Sequence, residues 1–202
     1  MSDTDASTIK YRQIINGARI VFLNQGFDAA SMCEIARAAG VSKATLYVYF
    51  KSKEHLFETI FEEERRAQVE RIFAFNHEDH DVRTVLTNLG CEFIQYLCKP
   101  ERAAPIRTVI SIAIRMPELG QQFYDAGPGT GIARVSAYLE AQIEAGILNV
   151  PDTEVAAAQL LDSFQSTMFK PMMYTNAPPP DEKRIRHVVD MAVNMFLAAY
   201  AQ

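Results

Sequence analysis

Several classes of protein are excluded by what this chain lacks. No apolar run in its 202 residues approaches the ~18–20 needed to span a bilayer. The opening stretch, "MSDTDASTIKYRQ", is polar and acidic, without the cationic start and apolar core of a signal peptide. A cytoplasmic location is therefore the expectation. Cysteine is scarce: Cys33, Cys91 and Cys98 are too few and too scattered for a disulfide framework. Cys91 and Cys98 fall in one helical stretch with backbones roughly 10 Å apart, beyond the ~7 Å a bridge tolerates. All three read as reduced thiols, with Cys33 the candidate for a redox sensor. Clean period-two alternation is absent, so no sheet is expected, and no internal repeat is visible. Positive charge is in deficit, with 20 Lys and Arg against 25 Asp and Glu, a net charge of −5.

What is present is a globular composition, 49% hydrophobic and 22% charged, with helical periodicity throughout. A first helix is predicted over 8–25, with Ile14, Ile15, Ala18, Val21 and Phe22 on one stripe and Gly26 as its C-cap. Ser31 followed by Glu34 is a capping-box signature for a short helix reaching Ala39. Gly40 breaks that helix, Ser42 caps a second short one over 43–49, and Ser52 caps a long one reaching 75. Further helices are predicted over 82–97, 104–115, 132–145, 152–169 and 181–200. Their separators read as "NHEDHD", "KPE", the proline of "MPELG", a second break at "DAGPGTG", Gly146 and "NAPPP". The fold class is all-α: an N-terminal three-helix unit over 1–53 and a helical bundle over 54–202.

Two short helices joined by a glycine-containing turn, with an earlier helix across them, describe a helix-turn-helix. The second short helix would enter a major groove by its N-terminal end, where Ser42, Lys43, Ala44 and Thr45 face the bases. Tyr47 and Tyr49 can reach phosphates or base edges, and Lys43, Lys51 and Lys53 cluster around this helix. Ser52 and Lys53 open the next helix, whose free N–H groups favour a phosphate. Local charge resolves the conflict with an acidic chain. Between residues 10 and 54 there are seven cations (Lys10, Arg12, Arg19, Arg37, Lys43, Lys51, Lys53) against Asp28, Glu34 and Glu54, a surplus of +4. At physiological salt the Debye length is ~8 Å, so the distant acidic remainder is largely screened.

The block "IARAAGVSKATLYVYFKSKEHLF" resembles the DNA-binding domain of TetR-family transcriptional regulators, in register over roughly residues 8–60. The resemblance implies an all-α homodimer that binds double-stranded DNA and whose C-terminal domain takes a small-molecule effector, with no cofactor. By motif position it places Lys43, Ala44, Thr45 and Tyr49 on bases, Tyr47 and Lys53 on phosphates, and Ser31 on backbone. Met32 and Cys33 stand where many relatives carry polar or cationic residues. The segment "RMPELGQQFYDAGPG" resembles C-terminal domains of the AefR-like branch.

The last two helices carry broad apolar faces: Ala157, Leu161 and Phe164 on one, and Ile185, Val188, Val189, Ala192, Met195 and Phe196 on the other. Such faces can pack within one subunit or, more economically, form a four-helix bundle across a two-fold axis. A supply of aromatic and soft side chains, Phe93, Tyr96, Ile112, Met116, Phe123, Tyr124, Phe164 and Met168, offers an apolar effector pocket. The "HEDHD" loop, His77 to Asp81, carries metal-ligating types but reads as a solvated charged loop, and no metal is expected. "GPGTG" lacks the strand and the Lys-Ser/Thr of a phosphate loop. No nucleophile–base set can be argued, so an enzyme is not expected. The sequence thus predicts a ligand-responsive DNA-binding regulator, most simply a repressor on a near-palindromic operator, released by a small apolar or aromatic effector. The alternatives are a helical binding module without DNA affinity and a redox regulator acting through Cys33.

Overall fold

The computed structural model describes residues 3–175 and 177–202 of the chain. The fold is all-α. Among the described residues the β-structure is a lone antiparallel bridge between Leu148 and Ala201, and no helix is long and apolar enough to cross a membrane.

The N-terminal unit, the head, comprises α1 (Asp3–Ala29), α2 (Met32–Ala38) and α3 (Lys43–Tyr49). The helical path of α1 is interrupted at Gly26, whose φ of 77° is natural to glycine, and one more turn follows to Ala29. Ser31 and Glu34 form the predicted capping box on α2, and the Ser42 hydroxyl accepts the Thr45 N–H at 3.0 Å to start α3. A Cβ at Gly17 would lie 2.6 Å from the Ala39 nitrogen, so only glycine lets α1 lie this close to the end of α2. The head core gathers Ile14, Ala18, Ile35, Leu46 and Phe50 together with Leu56 and Ile60 of α4 (Lys53–Ile72). The head is thus completed by the first two turns of α4.

The C-terminal unit, the body, packs α5 (Val82–Leu97) against α11 (Glu182–Tyr200), and α8 (Thr130–Glu144) against α9 (Thr153–Gln165). Leu86, Ile94, Tyr138, Leu139, Phe164 and Val189 are fully buried in its core, which Val69, Ile72 and Phe73 also enter at the far end of α4. The "HEDHD" loop is pinned to α8. His80 Nδ1 lies 2.9 Å from Gln142 Oε1, the Gln142 amide donates to the His77 carbonyl at 3.0 Å, and the Tyr138 hydroxyl donates to the Asp79 carbonyl at 2.9 Å. Among the described residues no group of three or more His, Cys, Asp or Glu converges on a possible metal position.

Helix α1 is longer at both ends than the expected 8–25, α4 stops at Ile72 short of 75, and three further departures in the body each lie beside a proline. The helix expected from 104 is α6 (Pro100–Ile112); it starts earlier because Pro100 occupies the first turn, where its missing N–H is harmless. "DAGPGTG" is not a break. After α7 (Pro117–Tyr124), residues Asp125–Gly129 form a π-helical segment that carries the chain straight into α8. Pro128 has no N–H for the carbonyl four residues back, so the ladder closes one residue later. Thr130 donates both its backbone N–H and its hydroxyl (2.8 Å) to the Asp125 carbonyl. The helix expected over 152–169 instead ends at Gln165 and, after a turn, α10 (Phe169–Tyr174) begins, with Pro171 in its first turn, where a missing N–H breaks no bond.

Between head and body lies a small apolar cluster of Phe27, Phe57, Val109, Ile112 and Leu119, with Met116 and Phe123 packed against it. Ile112 and Met116, expected in the pocket, are used here instead. Beside the cluster the Arg115 guanidinium reaches both carboxylate oxygens of Asp28 at 3.0 Å.

Candidate nucleic-acid interface and effector cavity

The outward face of α3 is formed by Lys43, Ala44, Tyr47 and Val48, all exposed, with Thr45 half-buried beside them. These positions are one helical turn apart in pairs, so they share one side while Leu46 turns fully into the head core. The Lys43 ammonium sits 6.0 Å from the Tyr47 ring centroid, and Lys51 is exposed at the end of the segment. Val48 is 80% exposed, an apolar side chain with no packing role in the chain. The sequence reading passed over it because a lone valine between two tyrosines looks like core; the clue was its helical spacing from Ala44.

Other candidates are held elsewhere. The Tyr49 hydroxyl lies 3.2 Å from the Ser7 hydroxyl, and its ring is 6.4 Å from that of Tyr11, so Tyr49 ties α3 to α1. The Lys53 ammonium donates to the carbonyls of Phe27 (2.9 Å), Asp28 (3.2 Å) and Ala30 (3.2 Å) and stands 4.6 Å over the Phe27 ring. Its three protons are spent on the corner between α1 and α2 and are not offered to a phosphate. Ser31, Ser42 and Ser52 all act as caps. The Ser31 hydroxyl, which donates to Glu34 Oε2 at 2.7 Å, is the chief cause holding the Glu34 carboxyl below its ordinary value.

In the body, α4, α5, α6, α7, α8 and α9 surround a cavity of about 390 Å³. Phe93, Tyr96, Phe123 and Tyr124 line it as expected, joined by Phe73, Leu97, Ile106, Ile132 and Phe169. Gly127 and Pro128 bring the π-helical segment into the wall. Arg102, Asp162 and Gln165 are its main polar members, and the Arg102 guanidinium lies 3.9 Å from the Tyr96 ring centroid. Phe164 and Met168 are not at this surface; both are buried in the body core. Arg102 went unrecognised in the sequence because nothing local distinguishes it; stacking on Tyr96 across the break between α5 and α6 is a tertiary event.

The faces expected for dimerisation are turned inward. Ala157, Phe164 and Val189 are fully buried, and Leu161, Ile185, Val188, Ala192 and Phe196 nearly so, while Leu161 also lines the cavity. The cause is the close approach of α5 to α11 and α9: a Cβ at Gly90 would fall 2.8 Å from Val189 and 2.9 Å from Phe164. The large apolar side chains exposed on these helices are Met195 and Met191, each at 61%, and Val155 at 49%. Burial pushes the Cys98 thiol up to about 11 and raises Cys91 as well, whereas Cys33 is exposed on α2.

Residues 14–60 match the bacterial regulatory proteins of the tetR family, and residues 84–202 match the C-terminal domain of AefR-like transcriptional repressors. This chain belongs to the TetR family. It is a DNA-binding transcriptional regulator. Its fold superposes on a TetR-family regulator from Mesorhizobium loti with a TM-score of 0.87, at 27% identity over 100% of both chains. It is similar as well to the flavonoid-responsive regulator FrrA, with a TM-score of 0.78 and 30% identity over 95% of this chain and 97% of that one. The Bacillus subtilis fatty acid metabolism regulator protein is 38% identical over 63 residues, a match spanning 31% of this chain and 32% of that protein.

Proposed function

We propose that this TetR-family chain is a repressor that binds a near-palindromic operator as a homodimer and releases it when a small, largely apolar effector occupies the body. Residues 1–53, completed by the first two turns of α4, serve as the DNA-binding domain, and the remainder of 54–202 as the effector-binding and dimerisation domain. Lys43, Ala44, Thr45, Tyr47 and Val48 meet base edges; Ser31, Ser42, Lys51 and Ser52, with the N-terminal amides they flank, meet the sugar–phosphate backbone. Met191, Met195 and Val155 supply the apolar surface for the partner copy. A single head is too small for useful specificity, so two heads about one helical turn apart, ~34–36 Å, read the two half-sites.

The observation that carries this reading is the sharing of elements between site and head. Helix α6 contributes Arg102 and Ile106 to the cavity and Val109 and Ile112 to the apolar cluster around Phe27 and Phe57. An effector that binds one arrangement of α6 better than another biases head position by that ratio of affinities and no more. The similarity to a flavonoid-responsive regulator and to a fatty acid metabolism regulator supports an apolar effector. Genomic footprinting with the purified protein tests the proposal. A small set of two-fold symmetric sites, with half-sites one turn apart, is expected; a diffuse set of weak fragments without symmetry overturns it.

A further inference from the structure

The effector cavity has a neighbour. Beside the turn that joins α9 to α10 lies a second cavity of about 350 Å³, walled by Ile110 of α6 and by Met173 and Tyr174 of α10. Gln165 and Phe169 belong to the walls of both cavities, so this pair stands between them. Gln165 is tied back to α9, its amide donating to the Leu161 carbonyl at 3.2 Å. Phe169 is half-buried, and the chain is fixed on both sides of it. Met168 before it and Met172 three residues after it are buried in the body core, and the Arg107 guanidinium donates to the Met172 carbonyl at 2.9 Å. The ring is therefore a wall anchored by its own backbone, not a flap. Apolar surface continues on either side of it, with Leu97 and Ile106 in the first cavity and Ile110 and Met173 in the second. A tail that outgrows the first cavity meets the ring, and forcing further groups against packed surroundings weakens binding. Without the ring the same tail finds more apolar wall, where each buried methylene strengthens binding roughly fourfold.

We infer that Phe169 is the residue that sets the length of the effector: an apolar tail ends against this ring, and the second cavity is the space from which the ring excludes it. The inference rests on the effector reading above. Each cavity alone, at about 390 and 350 Å³, lies near the lower end of the roughly 300–1,000 Å³ usual for small-molecule sites. An alkyl tail is the class such a stop discriminates, because its volume grows along one line.

The test is isothermal titration of the full-length protein with 4-alkylphenols whose straight chains run from ethyl to dodecyl, alongside footprinting of the same preparation. Wild-type affinity is expected to climb roughly fourfold per methylene up to a limiting chain length and then to fall about tenfold. Phe169→Ala should move that limit to longer chains with little change for the shorter phenols. Phe169→Trp should move it to shorter ones and serves where the Ala variant does not fold. Ile110→Trp added to Phe169→Ala narrows the second cavity from a position 63% exposed and should bring the limit back, which a merely structural defect at Phe169 would not allow. No binding by any member of the series, no limit in wild type, or a limit unmoved by both Phe169 substitutions overturns the inference. A limit that moves while no phenol alters the footprint leaves the length stop standing and sinks the effector reading; release of the footprint with an unmoved limit does the reverse.

Discussion

Glu34 illustrates how much a single side chain decides in the head. It accepts from the Ser31 backbone N–H at 3.1 Å and from the hydroxyl, and its carboxyl is held below the ordinary value of 4.5, first by the Ser31 hydroxyl. A carboxyl depressed on folding adds stability above its unfolded value and loses it as pH falls through the folded one. Wild type should therefore exceed Glu34→Gln in stability at neutral pH, with the gap closing as the solution is acidified below about 4.5. Urea unfolding followed by circular dichroism at several pH values measures this, and a gap constant with pH contradicts it. Just beyond α3, Lys51→Ala removes one exposed phosphate contact per head and should lower the salt slope of operator binding by about 1.8 in a dimer. Val48→Glu should abolish binding while leaving stability within ~0.5 kcal/mol, since the side chain is exposed. The capping box was legible in the sequence because its partners are three residues apart. The use of Lys53 was not, because its carbonyl partners lie 23 to 26 residues away in the chain.

Between elements, glycine sets the contact distances. Gly17→Ala would force α1 off the Ala39 backbone, and Gly90→Ala would drive a methyl into Val189 and Phe164. Each is expected to cost about 1–3 kcal/mol in chemical denaturation; a change below ~0.5 kcal/mol would show that the helices separate freely. Most helices were readable from periodicity and caps, since both are short-range signals. The passage from α7 to α8 was not. Two glycines around a proline suggest a stop, yet the backbone absorbs Pro128 as a π-helical segment because the helices on either side are held by packing, Leu119 in one cluster and Val135 and Leu139 in another. The destination of an apolar stripe was equally illegible. Periodicity shows that Ile185, Val188 and Phe196 share a side of α11, but not whether α5 or a second subunit covers it.

At the scale of the molecule, charge and apolar surface are segregated. The cations of residues 10–54 give the head a surplus while the chain as a whole carries −5. Operator affinity should accordingly fall about a thousandfold between 50 and 200 mM salt if six phosphates are contacted, a drop that fluorescence anisotropy records. Met191→Glu with Met195→Glu is expected to yield a folded monomer by light scattering, without a footprint; a dimer that survives both would relocate the interface. The 20 residues of α4 join these scales. Its first turns are sunk in one hydrophobic core at Leu56 and Ile60, its last in another at Val69 and Ile72, leaving no slack joint between them. At 1.5 Å per residue it is an arm about 30 Å long, and tipping it by about 10° around its Ile72 end carries the Lys53 end through an arc of about 5 Å. Two such arms in a pair double the error, so a shift in the body too slight to disturb its own packing is enough to put the twin reading helices out of step with the turns of the duplex.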